Sequence, residues 1–402
     1  MVKCCKMPKE MMVHVLSRLP PKSLVRFKCV HKSWSALINN SSFVGKHLQL
    51  YNQLCSSTSI FLKRSVKSRT GTNNEEILLS FFNLRKDNGD DDDLNPIVED
   101  FHLPPSIGIL GKGPFIEVEP GESIYIVGHC EGIICLIIYT GDLVLCNPAT
   151  KEFKILPESC LQDTTSEIVG FGYDPKANDF KIVNIGSCGE ESYGERLVIN
   201  PPKAEVYTPS TDSWRNITID YLETETTNFW PDVFHEYFKG ICYWLGHEQN
   251  KEFIDTIEQE IIRQVIVSFD MSNERFHIIL LPDRFYIPSV LIKRDLHIAV
   301  WNESIVLFIF QFYGSSYEEY SFDIWVKDEY GDTRGSWTKH ITIEPIVGLA
   351  LPLTFWKSDE FIMVAPDGHI VSYNLHTQKY RHLPLFMASI QDILKLLFVC
   401  IV

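Results

Sequence analysis

Two spacings of apolar residues divide this chain. Over residues 8–47, apolar side chains recur three or four positions apart, as in Met12, Leu16 and Leu19, a spacing typical of amphipathic helices. Beyond residue 50, apolar runs are short, rich in β-branched residues and separated by Gly, Pro, Asn and Asp, as in strands joined by turns. We therefore predict a small helical module followed by an all-β body.

The helical segment carries its own start and stop signals. Pro8 suits the first turn of a helix, and Pro20 and Pro21 end that helix and begin another. About forty residues in two or three short helices bury little apolar surface alone. We therefore expect the module to dock on the rest of the chain or on a partner.

Five segments of the body repeat one design, in which a polar stretch is followed by an aromatic residue. In four of them the residues flanking the polar stretch stand seven positions apart. In the fourth segment along the chain, Trp325 and Trp337 stand twelve apart, which we interpret as a five-residue loop insertion. Each segment predicts a β-hairpin. The closing aromatic residues are Phe153, Trp214, Phe276, Trp337 and Tyr380. Their intervals of 61, 62, 61 and 43 residues favour a β-propeller or a β-solenoid.

Further strand signals lie between the hairpins, at residues 128–136, 170–183 and 240–245. We assign them to the inner strands of four-stranded blades. The apolar segment 386–402 is a candidate closing strand. The alternative is an altered terminus, which would put closure of the ring in doubt.

Charge also separates the two parts. The whole chain has a formal charge of −15, but residues 1–50 hold nine basic residues and only Glu10, which leaves −23 on the remainder. A body of that charge argues against nucleic acid as the main ligand. It favours a basic protein partner attracted over long range.

Candidate chemistry is sparse. The eleven cysteines form no CxxC pair, which is typical of small apolar core residues in a reducing compartment. No phosphate-binding or nucleophile motif is present, and we interpret His129–Cys130 as strand residues of the core. Asp90–Asp93 predicts a solvated loop, with a metal or basic-partner site as the minor alternative. We predict no catalytic residue, metal or cofactor.

No secretory signal and no membrane span are apparent in the sequence, because the most apolar stretch falls far short of about 20 residues. We expect a soluble cytoplasmic protein without a membrane partner, and the nucleus remains an alternative location.

Residues 7–34 resemble the F-box of plant proteins, with Met7 where the family usually has leucine and Met11–Met12 where it has β-branched residues. The resemblance implies docking on a Skp-type adaptor and, through it, on a cullin–RING ubiquitin ligase. Carried over by position, the adaptor contacts are Met7, Pro8, Leu16, Leu19, Pro20, Leu24, Val30 and Trp34. The alternative is that these residues pack the core of the module itself.

The body resembles the F-box-associated, kelch-like domain of plant F-box proteins at segments 128–136, 143–157, 170–183, 205–217, 239–246 and 265–282. Within that class it is most similar to the S-locus F-box proteins of pollen, which act in self-incompatibility. The expected organisation is an α-helical F-box module at 5–50, a kelch-like β-propeller of six or seven blades at 51–385, and an apolar tail at 386–402.

The resemblance implies a non-catalytic substrate-recognition subunit of a Skp–cullin–F-box ligase, with pistil S-RNases as targets for ubiquitination. Recognition is expected in variable loops, at 85–100, 158–166, 186–203, 223–236, 247–262 and 327–336. The candidate target contacts are Glu190, Glu191, Glu223, Glu225, Glu248, Glu252, Asp255 and Glu258. The alternatives are solvated turns at these positions, a kelch-type scaffold without a ligase role, and a propeller enzyme, which no motif supports.

Overall fold

The computed structural model describes most of the chain. The described residues are 8–54, 59–67, 75–86, 94–101, 124–138, 141–161, 166–193, 196–254, 261–282, 296–312, 320–328, 336–345, 352–365, 368–386 and 397–399.

The N-terminal module is helical over residues 8–54. Its helices are α1 (Lys9–Leu16), α2 (Pro21–Lys28), α3 (Lys32–Ile38) and α4 (Ser41–Leu54). Pro8 and Pro20 stand immediately before α1 and α2, and Pro21 takes the first position of α2, where a missing N–H costs no helical hydrogen bond. His31 caps α3, since its Nδ1 accepts a hydrogen bond from the Ser33 backbone N–H at 3.1 Å.

The rest of the described chain is built of strands. They are β1 (Ser59–Lys67), β2 (Glu75–Lys86), β3 (Leu94–Phe101), β4 (Ile124–Cys130), β5 (Ile133–Ile138), β6 (Leu143–Asn147), β7 (Glu152–Ile155), β8 (Ser166–Asp174), β9 (Asp179–Ser187), β10 (Glu190–Tyr193), β11 (Arg196–Ile199), β12 (Lys203–Thr208), β13 (Ser213–Ile217), β14 (Thr227–Phe238), β15 (Ile241–Asn250), β16 (Glu252–Ile254), β17 (Ile261–Asp270), β18 (Arg275–Leu280), β19 (Leu296–Trp301), β20 (Ser304–Phe312), β21 (Tyr320–Lys327), β22 (Trp337–Ile343), β23 (Pro352–Phe355), β24 (Glu360–Val364), β25 (His369–Asn374), β26 (Lys379–Phe386) and β27 (Leu397–Val399).

Among the described residues, six antiparallel sheets have four strands each and follow the order of the chain. From the innermost strand outwards they are β27-β1-β2-β3, β4-β5-β6-β7, β8-β9-β12-β13, β14-β15-β17-β18, β19-β20-β21-β22 and β23-β24-β25-β26. Successive first strands touch one another from β4 through β8, β14 and β19 to β23, so these strands surround a common centre. The body is therefore a six-bladed propeller, which confirms the predicted fold class and selects six blades over seven.

The short strand β27 closes the ring. It pairs antiparallel with β1, placing Val399 opposite Ser59 and Leu397 opposite Phe61. It also touches β4, the innermost strand of the second blade, while β3 touches the outermost strand β26 of the sixth blade. The first blade therefore combines strands from both ends of the body, and the tail at 386–402 contains its innermost strand.

The apolar core of the propeller lies between blades. Each described cluster of buried residues joins two neighbouring blades: Phe61 with Ile126, Cys135 with Phe171, Val183 with Trp244, Ile266 with Leu307, and Phe308 with Phe361. Gly170 shows how close the layers come, because a Cβ added there would collide with the Trp244 ring of the next blade. Each blade is thus stabilised by its neighbours rather than by a core of its own.

The predicted repeat corresponds to the hairpins between the third and fourth strands of four blades. The paired residues are Cys146 and Phe153, Tyr207 and Trp214, Phe269 and Phe276, and Tyr373 and Tyr380. Three of these turns share a cause: in the first, Asn147 Oδ1 accepts hydrogen bonds from the N–H groups of Ala149 and Thr150 at 3.0 and 3.1 Å, and Lys151 then takes a positive φ of 60°. Asp270 and Asn374 form the same turn in their blades.

The hairpin of β21 and β22, which contains Trp325 and Trp337, differs from the prediction. Trp337 pairs with Lys327, and Trp325 pairs with Lys339. The two tryptophans are therefore not opposite each other. The pairing of β21 with β22 begins at Lys327 and Trp337, two residues beyond Trp325, and a one-residue irregularity follows only between Ile324 and Trp325.

Tryptophans of the outermost strands tie neighbouring blades together. Trp214 Nε1 in β13 donates to the Pro157 carbonyl at 2.8 Å, and Trp337 Nε1 in β22 donates to the Leu280 carbonyl at 3.0 Å. Leu280 ends β18, the outermost strand of the preceding blade, and Pro157 lies two residues beyond the end of β7. The closing aromatic of a hairpin thus joins its blade to the one before it.

An ion network joins the third and fourth blades. Lys181 Nζ lies 2.7 Å from Asp174 Oδ2 and 2.7 Å from Glu274 Oε1, with only 7% of its side chain exposed. Burial acts to raise the pKa of Asp174, but hydrogen bonds from Lys181, Ser272 and two backbone N–H groups outweigh it and hold the pKa at about 2. The charged network is therefore a structural contact between blades.

The depressed pKa predicts how stability depends on pH. A carboxylate whose pKa falls from 3.8 in the unfolded chain to about 2 in the fold stabilises the fold above about pH 4 and loses that contribution as the pH falls towards 2. We expect Asp174→Asn to lose about 2 kcal/mol of unfolding free energy at neutral pH, with the difference from the unmodified chain shrinking below about pH 4. Urea unfolding across this range measures it. The exposed Asp220→Asn is the control, and a pH-independent difference for Asp174→Asn would contradict the assignment.

Candidate interaction surfaces

The core of the helical module contains two of the predicted adaptor contacts. Leu16 and Leu24 pack with Ile38 and Phe43, and their side chains are only 2% and 6% exposed. They therefore offer a partner almost no surface. Helical periodicity did not reveal this, because a face that packs inwards and a face that docks outwards have the same spacing.

Leu19 and Trp34 take intermediate positions at the edge of that core. Trp34 contacts Phe27 edge to face, with ring centroids 5.5 Å apart. The Leu19 carbonyl accepts a hydrogen bond from His47 Nε2 at 2.9 Å, which fastens α4 to the end of α1. Both side chains support the module and retain some exposed surface.

Pro8, Pro20 and Val30 lie on the surface of the module, and Val30 is 62% exposed. Met7 lies outside the described residues. The structure adds exposed apolar residues that the sequence analysis missed, namely Met11, Val15, Val25 and Val44. Met11 and Val15 are one turn apart on α1, a second apolar spacing beside the core-facing one that could have identified them. Exposed apolar side chains grouped on so small a module are typical of a docking surface.

The module's positive charge is also on its surface. The exposed basic residues are Lys9, Arg18, Lys22, Arg26, Lys32 and Lys46. Lys22 Nζ lies 3.6 Å from Glu99 Oε1 of β3, but both side chains are more than half exposed, so this pair adds little stability. A partner of this surface is expected to combine apolar and acidic groups.

Three short strands form a seventh sheet outside the blades. β10, β11 and β16 pair antiparallel in the order β10-β11-β16, and we call them the accessory sheet. β10 and β11 come from the connection between the second and third strands of the third blade, and β16 from the same connection of the fourth blade. The predicted recognition segments 186–203 and 247–262 thus meet in one structure.

The accessory sheet contains three of the predicted target contacts. Glu190 and Glu191 occupy successive positions of β10, and Glu252 begins β16. Asp255 and Glu258 lie outside the described residues. Glu190 and Glu252 are more than sixty residues apart in the chain, and only the fold shows that two different blades place them in one sheet.

Glu223 and Glu225 lie in the turn beside this sheet. Lys251 Nζ contacts Glu223 Oε1 at 2.5 Å, and the Lys251 backbone N–H donates to the Thr226 carbonyl at 2.9 Å. Glu225 is exposed. The segment 223–226 and the start of β16 therefore form one continuous acidic surface, in which the nearby Lys251 is already engaged.

Glu248 is not available as a target contact. It is 8% exposed, its Oε2 lies 2.6 Å from Arg263 Nε, and its Oε1 accepts a hydrogen bond from Thr227 Oγ1 at 3.0 Å. The prediction for this residue is therefore corrected. Its carboxylate joins three strands of the fourth blade.

Burial also shifts the titration of two thiols and one imidazole in the second blade. Burial raises the pKa of Cys130 and brings that of Cys146 to about 12, so both thiols are protonated at neutral pH. Burial lowers the pKa of His129 to about 4, so its ring is neutral. Within the described residues, no three His, Cys, Asp or Glu side chains are placed to hold a metal ion. No helix in the described part of the chain is long and apolar enough to cross a membrane.

Comparison with known families identifies both parts. A profile described as "F-box domain" matches residues 4–45, and one described as "F-box associated beta propeller domain" matches residues 92–395. The chain belongs to the family of F-box proteins with an associated β-propeller. The family assignment agrees with the observed fold, a helical module preceding six blades.

The relatives of this F-box protein align with different fractions of its length. An F-box protein of Arabidopsis thaliana is 27% identical over 278 residues, covering 69% of this chain and 60% of the relative's length. An F-box/kelch-repeat protein of the same plant is 23% identical over 391 residues, covering 94% of this chain and 90% of the relative. Among solved structures, YCF48 from Cyanidioschyzon merolae superposes with a TM-score of 0.35 at 7% identity, covering 82% of this chain and 86% of that one.

The different environments of Glu248 and Glu225 in this F-box protein predict different effects of neutralising them. Glu248→Gln weakens a buried contact to Arg263 and is expected to lower the free energy of unfolding by about 1–3 kcal/mol. Glu225→Gln changes an exposed turn and is expected to stay within about 0.5 kcal/mol of the unmodified chain. Urea unfolding at neutral pH compares the two. Equal effects would contradict the structural role of Glu248.

Proposed function

We propose that this F-box protein is the substrate-recognition subunit of a Skp–cullin–F-box ubiquitin ligase. The observation that carries the proposal is a helical module with exposed apolar side chains, joined to a propeller whose own apolar faces are buried between blades. The module thus has surface left for a partner. The propeller supplies a stable frame for a second partner.

The module is proposed to bind a Skp-type adaptor and, through it, a cullin–RING ligase. Contacts are expected from Met7, Pro8, Pro20 and Val30, and from the exposed edges of Leu19 and Trp34. Met11, Val15 and Val25 extend the same kind of surface. Leu16 and Leu24 are proposed to support adaptor binding indirectly, by packing the core that holds the helices in place, since their side chains are almost fully buried.

The protein is proposed to do no bond chemistry itself. In a ligase of this class the target's lysines are brought close to a charged conjugating enzyme, and the rate rises through the effective concentration. The inter-blade packing and the ion network around Lys181 favour this role, because a stiff frame presents a target at a defined distance.

The target is proposed to be a basic protein. The chain beyond residue 50 carries a formal charge of −23, and charge of one sign steers a partner of the opposite sign. The narrower proposal, based on the resemblance to S-locus F-box proteins, is that the targets are pistil S-RNases and that the chain acts in pollen self-incompatibility. The second candidate is a kelch-type scaffold without a ligase role.

Adaptor binding is tested with the intact purified chain and a purified plant Skp-type adaptor. We expect a stable complex that Val30→Glu weakens at least about tenfold, since a charge replaces a 62%-exposed apolar contact. Ile155→Glu is the matched control, because Ile155 is also an exposed aliphatic residue but lies on the second blade. Isothermal calorimetry measures both. Absence of binding by the unmodified chain would favour the scaffold function.

Target binding is tested with purified S-RNase variants and the same chain. We expect affinity to fall steeply as NaCl rises from about 0.1 M to about 1 M, because the Debye length falls from about 10 Å to about 3 Å. Affinity is also expected to differ between variants. If no variant binds, the S-RNase proposal fails while the ligase proposal stands on the adaptor result, and salt-independent binding would contradict the electrostatic account.

A further inference from the structure

The accessory sheet has an edge that the propeller does not use. Among the described residues β10 pairs only with β11, and unlike the edge strands of the blades it lies in a sheet outside them. In an antiparallel strand, alternate residues direct their N–H and C=O groups away from the existing partner. β10 therefore presents a short row of backbone donors and acceptors outside the blades, which is the arrangement that accepts an added strand.

The sheet is firmly attached to the propeller. The Ile199 N–H donates to the Lys251 carbonyl at 2.8 Å, and the buried Asn228 Nδ2 donates to the Ile199 carbonyl at 3.2 Å. Gly189, with a φ of 76°, turns the chain out of β9 and into β10. These contacts fasten β11 to the third and fourth blades and leave β10 on the outer side.

The opposite edge of the sheet is less suitable. The start of β16 is flanked by the turn before β14, because the Lys251 N–H donates to the Thr226 carbonyl at 2.9 Å and its side chain reaches Glu223. An incoming strand would meet this turn. Along β10 no described element lies in that position.

The charge around the accessory sheet indicates which kind of segment could bind beside β10. The described residues of segments 188–193, 196–202, 220–226 and 251–254, which form the accessory sheet and the turn beside it, include six acidic residues against two basic ones, Arg196 and Lys251. Lys251 is engaged by Glu223. Glu225 and Glu252 are exposed. A segment rich in lysine and arginine complements this surface, and an acidic segment is repelled.

We propose that the target docks by adding an extended, basic segment as a fourth strand of the accessory sheet, alongside β10. This deepens the proposed function, on which it rests, by naming the surface and the chemistry of the bound segment. Backbone hydrogen bonds to β10 would supply affinity, and the surrounding carboxylates would select for positive charge.

The test uses the intact chain and a fluorescent peptide of about ten residues that alternates lysine and valine, chosen for strand propensity and charge. Its control has the same sequence with N-methyl groups on alternate backbone nitrogens, which keeps the charge but removes the donors along one edge. We expect the methylated peptide to bind at least about tenfold more weakly in fluorescence anisotropy. Equal binding, or no binding of either peptide, would overturn strand addition.

Two variants locate the site. Ser192→Pro removes a backbone N–H from β10 and is expected to weaken binding of the unmethylated peptide, whereas Ser192→Ala is expected to retain it. Hydrogen exchange adds a direct measurement: the bound peptide is expected to protect amides of residues 190–193 and to leave those of 203–208 unchanged. Protection elsewhere, or a Ser192→Pro variant that binds normally, would contradict the assignment.

Adaptor binding separates this inference from the proposed function. Ser192→Pro is expected to bind the Skp-type adaptor as tightly as the unmodified chain, since β10 belongs to the propeller part. Loss of peptide binding with adaptor binding retained supports the inference. If the unmodified chain binds the adaptor but the peptide results fail, only the strand-addition site is rejected; if it does not bind the adaptor, the ligase function itself is rejected.

Discussion

The antiparallel pairing of β27 with β1 is the contact on which the architecture of the body depends. The apolar clusters lie between blades, so a blade is stable only while both of its faces are covered. A linear row of six blades would leave two apolar faces exposed to water. By completing the first blade, β27 brings the first and last blades together, and β3 and β26 then meet at the outer side of the joint.

Contact between neighbouring blades sets the geometry of the accessory sheet. The accessory sheet needs two blades in contact, because β11 comes from one and β16 from the next. The buried network of Asp174, Lys181 and Glu274 joins the same two blades through their turns. The third and fourth blades are thus joined by both the accessory sheet and this network, and the proposed target surface lies on them.

The sequence predicted those features whose cause is local. Asn147, Asp270 and Asn374 form turns with their own neighbours, so the seven-residue spacing of the flanking residues was enough to predict these three hairpins with the correct partners. The same spacing also predicted the pairing of Tyr207 with Trp214. The pair of Trp325 with Trp337 was wrong because β21 continues two residues past Trp325, to Lys327, before it pairs with Trp337, and composition does not reveal where a strand ends. Leu16 and Leu24 were assigned to a docking face and lie in the core, since periodicity identifies an apolar face without saying what covers it. Glu248 was indistinguishable from its acidic neighbours until the fold placed Arg263 beside it. The accessory sheet was beyond sequence analysis, because its strands are brief and its pairing joins segments more than fifty residues apart.

The position of β27 also affects how the protein matures on the ribosome. The helical module and β1 leave the ribosome early, but β1 has no inner partner until Leu397–Val399 has been synthesised. Throughout that interval the first blade exposes an incomplete sheet edge, which is the kind of surface that chaperones cover and that aggregates form upon. The helices at residues 8–54 form through short-range contacts and are under no such delay. The chain can therefore offer its helical end to a partner while the ring is still open.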